Sequence, residues 1–114
     1  MPARANAALV ISNTYRTQFV DHSALEPDAI VAEPEGEGVV LWVTSKSPHR
    51  DREEIAHALG LPLAQVRVAV AAIGGSFGGK PDLPLLCMAG MIALKVRRPI
   101  KIIFDRDECF SAKT

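Results

Sequence analysis

The densest chemical signal in the chain is Ile73-Gly74-Gly75-Ser76-Phe77-Gly78-Gly79-Lys80. Glycine fills four of the six positions from 74 to 79. Each glycine costs conformational entropy on folding, so such a run is tolerated where backbone must take positive φ or approach another group closely. The loop follows an apolar, β-branched run at 66–73 and precedes Asp82-Leu83-Pro84, a helix start. A glycine-rich turn between strand and helix gathers free N–H groups and suits an anion or a bulky ligand laid against bare backbone. Gly74, Gly79 and Lys80 satisfy the nucleotide-loop spacing G-x-x-x-x-G-K, but Pro81 stands where Ser or Thr would hold Mg²⁺. Proline also removes an N–H from the cradle. The dinucleotide pattern G-x-G-x-x-G is not met in register. The remaining reading is a loop that sets its glycines against a bulky ligand and presents Phe77.

The other polar residues offer less. His22, His49 and His57 lack metal-ligand spacing. No G-x-S-x-G turn marks a nucleophilic serine, since Ser76 is followed by Phe77 and Gly78. Glu26 precedes Pro27, which biases it to extended backbone, and reads as a structural carboxylate bonded to backbone or to an arginine. Cys87 falls on an apolar helix and reads as a core thiol, whereas Cys109 is expected nearer the surface.

Around the loop the elements follow from periodicity and punctuation. Residues 15–22 alternate and predict a strand; 28–33 predict a second. Glu33 to Gly38 is a polar turn, and 39–45 is an apolar, β-branched strand, so the two flanking runs predict a hairpin. Ser47-Pro48 reads as an N-cap with proline at the first helical position, with Asp51 and Glu54 as an alternative capping box. Gly60 closes that helix. Residues 66–73 predict a strand, and 84–97 predict a helix that is apolar nearly all round and therefore buried. Residues 100–105 predict a last strand. The order β-β-β-α-β-α-β gives an α+β fold: a mixed sheet of about five strands with two main helices packed on it. The ends, 1–12 and 111–114, are expected to be loose.

Composition narrows the function classes. Thirteen basic and thirteen acidic residues balance to zero in 114 residues, which argues against a nucleic-acid module. Apolar residues make up 48%, too many for disorder, yet no run is long enough to span a membrane. Met1-Pro2-Ala3-Arg4 lacks the layout of a secretory signal, and two cysteines make no disulfide framework, so the cytoplasm is expected. A basic excess centres on Lys95, Arg97, Arg98 and Lys101, read as charge at a helix C-terminus or as an anion or partner face. The apolar surplus, notably around 84–97 and the glycine loop, predicts contact with neighbouring polypeptide or self-association.

Taken in order, the motifs resemble those of the molybdopterin-binding large subunit of the xanthine dehydrogenase/aldehyde oxidase family. His22-Ser23-Ala24-Leu25-Glu26-Pro27 is similar to its H-x-x-L-E-P segment, and Leu41-Trp42-Val43-Thr44-Ser45 to a strand leading to a glutamine. Residues 55–70 resemble its helix, L-G-L-P turn and strand. Gly74 to Lys80 resembles its GGGFGGK loop. Arg98-Pro99-Ile100-Lys101 and Asp105-Arg106-Asp107-Glu108 resemble its R-P-V-K and D-R-E-E stretches. The resemblance covers roughly residues 15–112.

It implies a first molybdopterin-binding domain spanning 1–114, with Gly75, Ser76, Phe77, Gly78, Gly79 and Lys46 beside the molybdenum cofactor. Backbone near Phe77 and Gly78 would bond the metal centre, and the Phe77 ring would border the substrate cavity. The implied reaction is hydroxylation of an aldehyde or an electron-poor N-heterocycle with oxygen from water. Lys46 stands where the family has the glutamine, Pro81 where purine-oxidising members have a substrate-orienting glutamate, and Ser76 where it has glycine. The implied subunit is several times longer and carries its catalytic glutamate near its C-terminus. The chain is thus expected to work with the remainder of that subunit and with iron–sulfur and FAD partners, and alone to be inactive and without cofactor. A second reading stays open: a stand-alone binding or interaction domain that kept the fold without the molybdenum site.

Overall fold

A computed structural model describes residues 7–18, 20–80 and 82–112. Four strands form one mixed sheet: β1 (Ala29–Glu35), β2 (Gly38–Val43), β3 (Val66–Val70) and β4 (Ile100–Ile103). Their spatial order is β3-β2-β1-β4. The β1–β2 hairpin is antiparallel, with Glu35 opposite Gly38, so only Gly36 and Glu37 make the turn. β3 joins β2 in parallel and β4 joins β1 antiparallel. β2, β3 and β4 therefore all point the same way, and their exits share one end of the sheet with the entry to β1.

The parallel β2–β3 pair needs a crossover, supplied by α1 (Pro48–Leu59) and a short 3-10 turn at Leu63–Gln65. Ser47 and Pro48 open α1, and Gly60 ends it at φ 66. The alternative capping box does not form. Asp51 is buried and instead accepts a hydrogen bond from the Ser45 hydroxyl, which in turn accepts Ser47 N–H at 2.9 Å. The carboxylate thus anchors the β2–α1 turn from within.

The second long helix, α2 (Leu83–Val96), lies on the same sheet face. Alternate residues Ile30 and Ala32, and Val39, Leu41 and Val43, meet Ile55 and Ala56 of α1 and Leu85, Leu86, Ala89 and Ala93 of α2 in one core. Only that stripe of α2 is buried. Met88, Met91 and Val96 lie at the surface, so the expectation of an all-round buried helix is corrected to a one-sided one. These residues, with Phe77 and Leu25, form part of the exposed apolar surplus. At the end of α2, Arg97 donates to Gly36 O at 3.0 Å, tying the basic cluster to the hairpin turn.

Three more expectations are corrected. The sheet has four strands, not about five: residues 15–18 and 20–22 lie in no strand, and Phe19 is outside the described residues. Alternation sets an extended chain, but a strand also needs a partner's hydrogen bonds, and the described residues of this segment pair with no strand. The last strand stops at Ile103 because Asp105 becomes the N-cap of a third helix, α3 (Arg106–Ser111). There Asp105 and Glu108 form a reciprocal capping box. Finally, α3 folds Cys109 inward, to 1% exposure, where a surface thiol was expected. Of the ends expected to be loose, 1–6 and 113–114 lie outside the described residues.

Candidate functional site

Four segments meet at the shared end of the sheet: 20–28 before β1, 44–47 after β2, 71–80 after β3 and 104–112 after β4. Val43 O accepts Ala71 N–H at 2.9 Å, and Asp28 O accepts Phe104 N–H at 2.8 Å, so adjacent exits are tied together. The glycine loop stands on this platform.

Its tip is a tight turn. Ser76 O accepts Gly79 N–H at 2.8 Å, and the central residues Phe77 and Gly78 have φ of 49° and 101°. Positive φ at both central positions marks the I′ class of turn. Phe77 is an unusual residue for that conformation, which disfavours side chains with a Cβ. It is also 77% exposed, an apolar ring held outward. Among the described residues nothing accepts a hydrogen bond from Phe77 N–H or Gly78 N–H. Ser76 is used locally: its hydroxyl accepts Lys80 N–H at 3.3 Å.

The base of the loop rests on the 22–26 segment. Glu26 Oε2 accepts Gly74 N–H at 2.5 Å, while Glu26 N–H donates to Gly74 O at 3.2 Å. A Cβ on Gly74 would lie 2.6 Å from Glu26 Cβ, so glycine is required there by close approach within the chain itself. Gly79 likewise abuts the His22 ring. By contrast, a Cβ on Gly78 meets only ordinary contact with His22. Burial works to raise the Glu26 pKa, but the Gly74 N–H, then Lys80, and to a lesser degree the Thr44 hydroxyl, hold it below the ordinary carboxylate value. The expected backbone contact of Glu26 is present; its cationic partner is Lys80, at 3.1 Å, rather than an arginine.

Gly75, Ser76, Phe77, Gly78 and Gly79 are therefore one structural unit. Lys46 follows β2 at the same end of the sheet and is exposed; among the described residues no hydrogen bond or ion pair joins it to the loop. Pro81 lies outside the described residues. Two contributors were not read from sequence. Lys80 is buried beneath the loop, and Arg106 of α3 donates to Ala24 O at 2.7 Å and Leu25 O at 3.2 Å. Among the described residues no three His, Cys, Asp or Glu side chains are placed to hold a metal ion, and no helix is long and apolar enough to cross a membrane.

The chain matches the molybdopterin cofactor-binding domain over residues 2–114. It belongs to that family. Among its relatives, a nicotinate dehydrogenase large molybdopterin subunit of Eubacterium barkeri is 39% identical over 101 residues, 88% of this chain and 24% of that protein. The aldehyde oxidoreductase molybdenum-binding subunit PaoC of Escherichia coli K12 is 35% identical over 91% of this chain and 14% of its own length. The chain thus spans at most about a quarter of these relatives. Quinoline 2-oxidoreductase of Pseudomonas putida 86 superposes with a TM-score of 0.79 at 27% identity, over 95% of this chain and 14% of that one. The residues present fit the family's cofactor. Among the described residues the adjacent N–H groups of Phe77 and Gly78 have no acceptor and both residues are exposed, while the side of Gly78 that a Cβ would take is in ordinary contact with the His22 ring.

Proposed function

We propose that this chain forms the glycine-loop wall of the cofactor site in a molybdenum hydroxylase, an oxidoreductase acting on an aldehyde or an N-heterocycle. The observation that carries the reading is the turn at Ser76–Gly79, where Phe77 and Gly78 are exposed and, among the described residues, their N–H groups find no acceptor. When bound, molybdopterin supplies the metal chemistry that moves electrons away and water-derived oxygen into the substrate. This chain's own residues bind and orient. Phe77 and Gly78 N–H would donate to the cofactor's metal-centre oxygens or sulfur, and the Phe77 ring would border the substrate and exclude water. Gly75, Ser76 and Gly79 shape the turn that presents them. Lys46, an ammonium donor with no acceptor, would stand toward the same cofactor from the exit of β2. The remainder of the large subunit, with iron–sulfur and FAD partners, would complete the enzyme. Two free thiols, Cys87 and Cys109, suit a reduced cytoplasm.

The test is Gly78→Val in the complete enzyme, with molybdenum read by elemental analysis. Valine there adds bulk beside the two amides, against the His22 ring, and strains backbone at positive φ. Gly36→Val is the control, because Gly36 also has positive φ (59°) in open space, in the hairpin turn at the other end of the sheet. Loss of molybdenum in Gly78→Val with retention in Gly36→Val is expected; wild-type metal loading in Gly78→Val would overturn the reading.

A further inference from the structure

The exposed amides of the glycine loop lie at its tip, yet the most buried charge lies at its foot. Lys80 closes the loop, and its side chain is only 2% exposed. Lysine is rarely buried unless its ammonium is paired, because stripping water from that charge is costly. Here Nζ sits 3.1 Å from Glu26 Oε2 and donates to Pro27 O at 3.4 Å. The same Oε2 accepts the N–H of Gly74, the first glycine of the loop. One carboxylate oxygen therefore holds both ends of the loop. The segment that carries it is held in turn from α3, through the two Arg106 bonds to Ala24 O and Leu25 O. Any shift of Glu26 would pull Gly74 and Lys80 together. Conversely, the loop cannot rise without exposing Gly74 N–H or unpairing a buried ammonium.

We propose that Glu26 and Lys80 act as one positioning unit that fixes the height of the glycine loop and so aims the Phe77 and Gly78 N–H groups. The aim assigned to those amides rests on the cofactor reading above. Neither residue is catalytic; both act through the loop backbone.

The experiment compares Lys80→Met, Glu26→Gln, the double variant and Lys80→Arg in the complete enzyme. Hydrogen–deuterium exchange is read at the 74–80 loop and, as a folding reference, at β2; molybdenum content is measured alongside. Each neutralising single variant should speed exchange at Gly74 by about tenfold, the equivalent of about 1.4 kcal/mol. β2 should stay protected and molybdenum should fall. The double variant should exchange no faster than the faster single, and Lys80→Arg, which keeps the charge, should restore both readouts. Unchanged loop exchange in the singles, effects that multiply in the double, or a freed loop with full molybdenum would each overturn the proposal. If Lys80→Met also releases β2, Glu26→Gln, which keeps shape and an acceptor for Gly74, decides by the same criteria. A wild-type enzyme without molybdopterin would instead refute the cofactor reading, while the exchange data would still decide the pairing.

Discussion

Gly74→Ala adds a single methyl group, and the structure says what it meets. The new Cβ would stand 2.6 Å from Glu26 Cβ and 3.0 Å from Glu26 Oε2. Carbon atoms in good contact sit about 3.5–4.0 Å apart, so about 1 Å of separation must be found. Glu26 Cβ is fixed to a backbone bonded to Gly74 itself, which leaves no flexible end to swing aside. Either the strain remains, at about 1–3 kcal/mol for overpacking, or the loop base parts and loses a charge-assisted bond of about 1.5–3 kcal/mol. The two routes together bracket about 1–3 kcal/mol of destabilisation. Gly60→Ala is the comparison: Gly60 has φ 66 with nothing within 4 Å, so only the left-handed backbone cost of about 1–2 kcal/mol applies. Urea unfolding followed by far-UV circular dichroism measures both, and hydrogen exchange localises the first to residues 24–26 and 74–80. If Gly74→Ala costs well under about 1 kcal/mol, or leaves exchange at 24–26 and 74–80 as slow as Gly60→Ala does, the close approach of loop and 22–26 segment is wrong.

Acid should loosen the same junction. The folded pKa of Glu26 lies below its ordinary value, because the Gly74 N–H and Lys80 outweigh the opposing effect of burial. Its stabilisation is therefore fully present above the unfolded pKa and is lost as pH falls through the lower, folded one. Loop exchange, corrected for intrinsic rate, should be flat near neutrality and rise only below the ordinary carboxylate range; in Glu26→Gln that rise should be absent. Arg106→Ala removes the donor to Ala24 O and Leu25 O and should cost about 1–3 kcal/mol, seen as faster exchange across 22–26 with the β1–β2 hairpin unaffected. Burial, aided by the Glu54 carboxylate, pushes the Cys87 thiol up, so iodoacetamide should modify it more slowly at pH 8 than a free cysteine. An equal rate would contradict its placement.

Local pattern carried much of the fold. Ser47-Pro48 and Gly60 bracket α1, and the polar turn at 33–38 separates the hairpin strands, because capping and turn chemistry act within a few residues. The glycine loop was legible for the same reason. What failed depended on contacts remote in sequence. The alternation at 15–22 predicts a strand, but its described residues pair with no sheet edge. Asp51 resembled a cap, yet Ser45 had a prior claim on it. Cys109 was expected at the surface because α3 went unread, although Asp105 and Glu108 stand at capping-box spacing. The sequence allows the glycines either positive φ or a close approach, without naming the neighbour; Gly74 and Gly79 make room for Glu26 and His22, whereas a Cβ on Gly78 would meet His22 only in ordinary contact. Nothing in local sequence joins Glu26 to Lys80, so the foot of the site emerged only with the tertiary structure.

The central claim is that the Ser76–Gly79 turn presents its free amides to molybdopterin. An experimental structure of the cofactor-loaded enzyme tests it most directly, through the distance from Phe77 N and Gly78 N to the nearest cofactor or metal-centre acceptor. At least one amide within hydrogen-bond reach, about 3.2 Å or less for an oxygen acceptor and somewhat longer for sulfur, is the predicted result. A cofactor bound elsewhere, with both amides facing solvent or another stretch of polypeptide, would contradict the account.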